Sequence, residues 1–241
     1  MGQKLAERLR KKKEELAKGG KNSDFFFFKE GTHRMRLVPV GPEKEFAIEA
    51  TYFFLSKELG GIVSPSTFGE PCALMEKYLK LKNSKKDEDK EMAKKIAPKK
   101  RYFALHYKYK DEKGKQVEEQ LGVRLAILTN GQYQDLIDLY LDDEAGDMTD
   151  PKKGYDIKYK RVGSGQFDTE YSILRCNPSP IFKKYAGKIY DPEKELRKVI
   201  PTYEETQEMV AKVFGTSEKK LSKEERIAKK KKLLKKKLKS K

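Results

Sequence analysis

The positive charge of this chain is gathered into a few segments, and that segregation limits which part of it can form a core. The chain carries a net charge of +17 over 241 residues. Residues 1–21 hold roughly +5 of it and residues 217–241 roughly +10. Only about +2 is left for everything between. Within that middle, residues 76–101 are again basic by roughly +6, so the remainder is slightly acidic. Three basic segments therefore surround a nearly neutral core.

Charged residues make up 39% of the chain, where a globular domain has about 25%. A surplus of this sign points to an acidic partner, either nucleic acid or an anionic membrane surface. No run approaches the roughly 18 apolar residues of a membrane span, and residues 1–13 lack the apolar centre of a signal peptide. The expectation is a soluble protein of the cytoplasm (the host cytoplasm if phage-encoded). Cys72 and Cys176 suit a reducing compartment and supply neither a disulfide framework nor a zinc set.

Hydrophobic spacing divides the chain further. Residues 2–18 and the stretch from Ser222 read as basic helices, the first ended by Gly19-Gly20. Phe25 to Phe28 is an apolar run, residues 33–38 alternate basic with apolar, and residues 45–55 form a second strand candidate. Gly60-Gly61, Pro65 and Gly69 mark an irregular stretch. Residues 72–97 read as two short helices. Residues 101–110 and 116–128 pair as strands around a turn at Gly114. Tyr133, Leu136, Ile137 and Tyr140 set a helix over 132–141, followed by an acidic surface loop at 142–150. Residues 155–162 and 167–175 form a hairpin across Gly163-Ser164-Gly165. Thr202 with Glu205 caps a helix over 203–214.

A helix before the last hairpin suits an OB-type barrel better than a sandwich. The expected fold is mainly β with α: an OB-fold-like barrel, an inserted helical subdomain, and basic helical N- and C-terminal arms. The expected parts are an arm at 1–21, a core at 22–181 with an insertion at 56–100, a linker and helix at 182–216, and a Lys-rich tail at 217–241.

Catalysis finds no support in motifs. The chain has no phosphate loop, nucleophile elbow or HExxH helix, and His33 and His106 have no nucleophile signature nearby. The positive signal is aromatic residues interleaved with bases. Alternate residues of a strand share a face. Tyr102, Ala104, His106, Lys108 and Lys110 thus lie opposite Phe103, Leu105, Tyr107 and Tyr109. Asp156, Lys158 and Lys160 likewise oppose Tyr155, Ile157, Tyr159 and Arg161. Single strands are bound by aromatic platforms with cations along the backbone, whereas no recognition helix or finger for duplex DNA is visible. With Arg34 and Arg36 of the first alternating strand, His106, Lys108 and Tyr159 are candidate contacts; core packing is the competing role for each aromatic.

Four landmarks in order resemble the single-stranded DNA-binding (helix-destabilising) proteins of T4-type phages. They are Arg36-Leu37-Val38-Pro39 with Phe46-Ala47-Ile48, then Glu70-Pro71-Cys72-Ala73-Leu74-Met75, then Lys99-Lys100-Arg101-Tyr102-Phe103-Ala104, and finally Lys158-Tyr159-Lys160-Arg161-Val162 with Phe167 and Tyr171. The resemblance implies an OB-fold core that holds single-stranded DNA without sequence preference, and cooperative self-association along DNA through the N-terminal arm. It implies stacking by Tyr102, Phe103, Phe167 and Tyr171. It implies phosphate contacts from Lys99, Lys100, Arg101, Lys158, Lys160 and Arg161, and replication or recombination proteins as partners. Two family features are missing. One thiolate, Cys72, cannot close a tetrahedral zinc site, so no metal or cofactor is expected and packing should hold the subdomain. The acidic tail of the family is replaced by Lys229 to Lys232, Lys235 to Lys237 and Lys241.

The resulting expectation is a non-catalytic protein that coats single-stranded DNA in phage-type replication, recombination and repair. An RNA-binding or ribonucleoprotein-associated protein and a scaffold docking through its basic tail are the alternatives; a membrane partner is not expected.

Overall fold

The computed structural model describes residues 25–41, 44–56, 58–107, 122–163 and 168–215. The expected basic helices at the two ends, the turn at Gly114, Lys108 and Phe167 lie outside the described residues. In chain order the strands are β1 (Phe25–Phe26), β2 (Gly31–Leu37), β3 (Ala47–Ser56), β4 (Gly60–Val63), β5 (Lys99–Tyr107), β6 (Arg124–Leu128), β7 (Tyr155–Val162) and β8 (Glu170–Pro178). The helices are α1 (Ala73–Lys82), α2 (Asp87–Lys95), α3 (Asn130–Leu141), α4 (Pro192–Lys198) and α5 (Tyr203–Phe214). The fold is mixed α/β with one eight-stranded sheet, an arrangement consistent with an OB-type barrel. Its path is β1-β6-β5-β2-β7-β8, and off that path β3 pairs with β4 and β5.

The chain divides into two compact units, Met1–Ile48 with Tyr102–Leu196 and Glu49–Arg101 with Arg197–Lys241. In the first, β5 and β6 are antiparallel with Tyr102 opposite Leu128, while β1 pairs with β6 in parallel, a contact that sequence spacing does not reveal. Met35 and Leu37 of β2, Ile157 and Tyr159 of β7, and Leu136 of α3 share one apolar core. Thr129 and Gln132 form a capping box that starts α3. The acidic loop after α3 is stiffened by its own carboxylates. Asp142, Asp147 and Asp150 each accept a backbone N–H within three residues. It is more than a surface loop, since Met148 is fully buried.

Strand β5 corrects the alternation argument. Phe103, Ala104, Leu105, His106 and Tyr107 are all buried, so neither face of this part of the strand meets solvent. Phe25 covers Phe103 with ring centres 5.7 Å apart, and Tyr185 covers Tyr107 at 4.3 Å. These partners come from distant sequence, which is why a period-two count could not foresee them.

In the second unit, the stretch read as irregular at Gly60-Gly61 is strand β4, paired antiparallel with β3. Helices α1 and α2 fall where two short helices are expected. The helix expected at 203–214 is present with its Thr202–Glu205 capping box, and Gly215 closes it in the left-handed region at φ 65°. The sequence reading set this helix apart with the linker, yet it packs with the insertion. The Thr206 hydroxyl accepts from Ala73 N–H at 3.1 Å, and Val210 joins Phe53, Cys72 and Leu74 in one cluster. Among the described residues, no group of three or more His, Cys, Asp or Glu could hold a metal ion. No described helix is long and apolar enough to cross a membrane.

Candidate nucleic-acid interface

The register of three strands builds a basic face. Across β2 and β7, Thr32 lies opposite Lys160 and Arg34 opposite Lys158. Across β7 and β8, Lys160 lies opposite Ser172 and Lys158 opposite Leu174. Directly paired residues share a face of the sheet, so these six side chains stand together. Their rows are about 6.8 Å apart along each strand and about 4.8 Å apart between strands. Lys160 and Ser172 are exposed, and Leu174 is 57% exposed. The other face of the same strands, with Met35, Ile157 and Tyr159, is the core.

Further along the same face, two residues beyond Arg34 and Lys158, lies a buried ionic network. The Arg34 Nε–H donates to Asp156 Oδ2 at 2.9 Å. Arg36 is wholly buried; its Nη2 donates to the Asp150 carbonyl at 2.8 Å and its Nη1 is 3.8 Å from Asp156 Oδ1. A charge taken out of water needs such partners, and Arg36 therefore ties β2 to β7 and to the acidic loop. It is a structural residue, not a phosphate contact. Gly154 makes room for it, because a Cβ there would fall 2.6 Å from Arg36 Nη2 and 2.5 Å from the Asp150 carbonyl oxygen.

Other candidates also belong to the core. Phe103 is buried against Phe25. Tyr159 is buried and donates its hydroxyl hydrogen to His106 Nε2 at 2.6 Å. Burial pushes the His106 imidazole down to about 4, so at neutral pH it carries no charge for a phosphate. Phe103, His106 and Tyr159 all lie in the core, with essentially no exposure to solvent.

The remaining candidates sit at varied positions. Tyr102 is half-buried and stacks on Tyr133 of α3, with ring centres 4.0 Å apart and planes at 17°. Phe46 continues that row against Tyr133 at 5.6 Å and Tyr140 at 5.9 Å. One face of Tyr102 thus serves to dock the helix. Arg161 and Tyr171 are opposite one another across β7 and β8. The Arg161 guanidinium lies 5.8 Å from the Tyr171 ring centre, and its Nη1 donates to the Phe28 carbonyl at 2.6 Å. Lys99, Lys100 and Arg101 belong to the second unit. The two lysines are exposed, Lys100 within 2.9 Å of Glu49, while Arg101 is half-buried.

The fold thus gathers Arg34, Lys158 and Lys160 onto one sheet face and leaves Arg36, Phe103, His106 and Tyr159 inside. The sequence argument missed Leu174, an exposed apolar side chain opposite Lys158. The hairpin register holds that signal, although a bulge between Tyr155 and Ile157 and the length of the turn make it hard to count.

No curated protein sequence matches the chain. A family model described as "gp32 DNA binding protein like" matches residues 29–223. That span contains every strand of the basic face and the whole second unit as far as α5, so the chain belongs to the gp32-like family of single-stranded DNA-binding proteins.

Proposed function

We propose that this protein coats single-stranded DNA without sequence preference, without catalysis, in phage-type replication, recombination and repair. The supporting observation is the register that sets Lys158 and Lys160 beside Arg34 on the solvent face of β2 and β7. Lysines act on phosphates as point charges, and phosphate contacts position a protein without reading sequence. The charge on that face is delivered by a sheet rather than by a helix shaped for a duplex groove. Lys99, Lys100 and Arg101 extend the reading to the second unit as further phosphate contacts.

Around this centre stand the parts that family membership suggests: an OB-like barrel as scaffold, self-association along DNA through residues 1–21, and docking of replication or recombination proteins. The cytoplasm is the compartment for such work. The Lys-rich segment at 217–241 adds phosphate affinity.

Competition tests the proposal. Labelled oligo-dT bound to the full chain is challenged with unlabelled oligo-dT, an RNA oligomer of matched sequence, or a matched duplex. Single-stranded DNA displaces the label at the lowest concentration. Equal displacement by RNA would favour an RNA-binding protein, and equal displacement by duplex would mean that net charge alone binds.

A further inference from the structure

Phe54 stands out in the second unit. It is 53% exposed in the middle of a strand, while its neighbours Tyr52 and Phe53 are buried. Among the described residues of this unit, the other exposed large apolar side chains are the non-aromatic Leu59, Leu79 and Met92. A half-exposed phenyl on a paired strand has solvent to lose, and association can bury it.

The backbone around it is arranged to keep that ring clear. Phe54 pairs with Gly61 of β4, and a bulge follows it before Ser56 pairs with Gly60. Bulges re-aim side chains, and a glycine opposite leaves no cross-strand side chain over the ring. Gly61 is required for a second reason: a Cβ there would fall 2.0 Å from the Tyr52 hydroxyl oxygen. Alternation along β3 puts Tyr52 on the same face as Phe54. The Tyr52 hydroxyl, pushed up to about 12 by burial, feels the Arg101 cation.

Cations are the other half of the arrangement. β3 pairs with β5 as well as β4, and β5 opens with Lys99, Lys100 and Arg101. An exposed aromatic on a strand whose hydrogen-bonded neighbour opens with cations is complementary to one kind of partner in particular, a nucleic-acid strand with unpaired bases and charged phosphates.

Resting on the single-stranded DNA reading, we infer that Phe54 is a base-stacking residue, with its ring over a base and Lys99 and Arg101 drawing the adjoining phosphates. This assigns a direct contact with DNA to the second unit, at a residue outside the stacking set implied by the family resemblance. Stacking on every base is tolerated, since each has a π-face.

The absence of tryptophan from the chain makes the test clean. Phe54→Trp introduces the sole indole, and its fluorescence is followed as oligo-dT is added to the full chain. Affinity of Phe54→Ala is measured in parallel, with Leu59→Ala as a control on the same hairpin. The inference requires quenching of the indole at saturation, an affinity for oligo-dT at least roughly tenfold weaker in Phe54→Ala, and a control within about twofold. Unfolding midpoints check that the exposed position leaves the fold intact. If the unsubstituted chain binds oligo-dT while the indole stays unquenched, or Phe54→Ala binds as tightly, this inference falls alone. If the unsubstituted chain does not bind oligo-dT, the DNA reading falls first.

Discussion

Tyr159 donates its hydroxyl hydrogen to Nε2 of His106 at 2.6 Å, with both side chains buried in the core of the first unit. Nδ1 of the same ring is 3.1 Å from the Ala104 carbonyl and donates to it. The imidazole is therefore held neutral, with one nitrogen as acceptor and the other as donor. A side chain that reads as a cation beside DNA serves instead as a buried bridge between β5 and β7.

Acid should weaken the fold through this histidine. Its pKa falls from the ordinary 6.5 to about 4 in the folded chain because burial disfavours the imidazolium. Between those values the unfolded chain binds a proton that the folded chain refuses. The stability due to this group is complete above 6.5 and is lost as pH falls toward 4. The loss is on the order of 3 kcal/mol in full and about 2 kcal/mol by pH 5. Urea midpoints at pH 7 and pH 5 measure it, and His106→Gln should flatten the difference.

Removing the Tyr159 hydroxyl leaves His106 Nε2 without its donor in a place water does not reach. Tyr159→Phe is expected to cost about 1–3 kcal/mol in urea unfolding. Its affinity for single-stranded DNA, measured where the variant is fully folded, should match the unsubstituted chain. A tenfold loss of affinity with intact folding would return Tyr159 to the binding surface.

Asp156 is the anion on which both Arg34 and Arg36 depend. Asp156→Ala strands the fully buried Arg36 charge and should cost about 3–5 kcal/mol. Arg34 is partly exposed, so Arg34→Gln, which removes a charged hydrogen bond from the Asp156 carboxylate without stranding a buried cation, is expected to cost less, about 1–3 kcal/mol. Chemical denaturation of the two variants separates these roles. Equal effects would mean that Arg36 is not the residue that needs the carboxylate.

Thr202→Ala removes the side-chain acceptor that starts α5, where Thr202 Oγ1 receives the Glu205 N–H at 3.2 Å. The expected loss is about 1 kcal/mol, seen as earlier hydrogen exchange in α5 and in the helices it packs against. Exchange confined to α5 would show that the helix is not coupled to its cluster.

Features that depend on neighbouring residues were legible in the sequence. The Thr202–Glu205 box, the Gly215 stop, the stride of Tyr133 and Leu136, and the hairpin of β7 with β8 all follow from spacings of a few residues. Features that depend on distant partners were not. Nothing near Phe103 or Tyr107 signals that Phe25 and Tyr185 cover them, and so β5 looked half-exposed. Arg36 resembles its neighbour Arg34 until Asp150 and Asp156 arrive from far along the chain. Gly60-Gly61 looked like a break because the reasons for glycine there, the positive φ of 71° at Gly60 and the phenol of Tyr52 over Gly61, appear only once β4 is paired with β3. The candidate site followed the same rule: alternation correctly separated Lys158 and Lys160 from Tyr159, and failed where a strand is covered on both faces.

The most direct test of the central claim is a fluorescence-anisotropy titration of labelled oligo-dT at several salt concentrations, with the full chain and its Lys158→Ala/Lys160→Ala variant. The basic face predicts preference for the single strand over the matched duplex. In the variant, affinity should fall and the salt slope should be shallower by roughly 1.4, the share of two phosphate contacts on a single strand, with an unchanged unfolding midpoint. Identical affinity and slope in the variant would contradict the assignment of this sheet face as the DNA-binding surface.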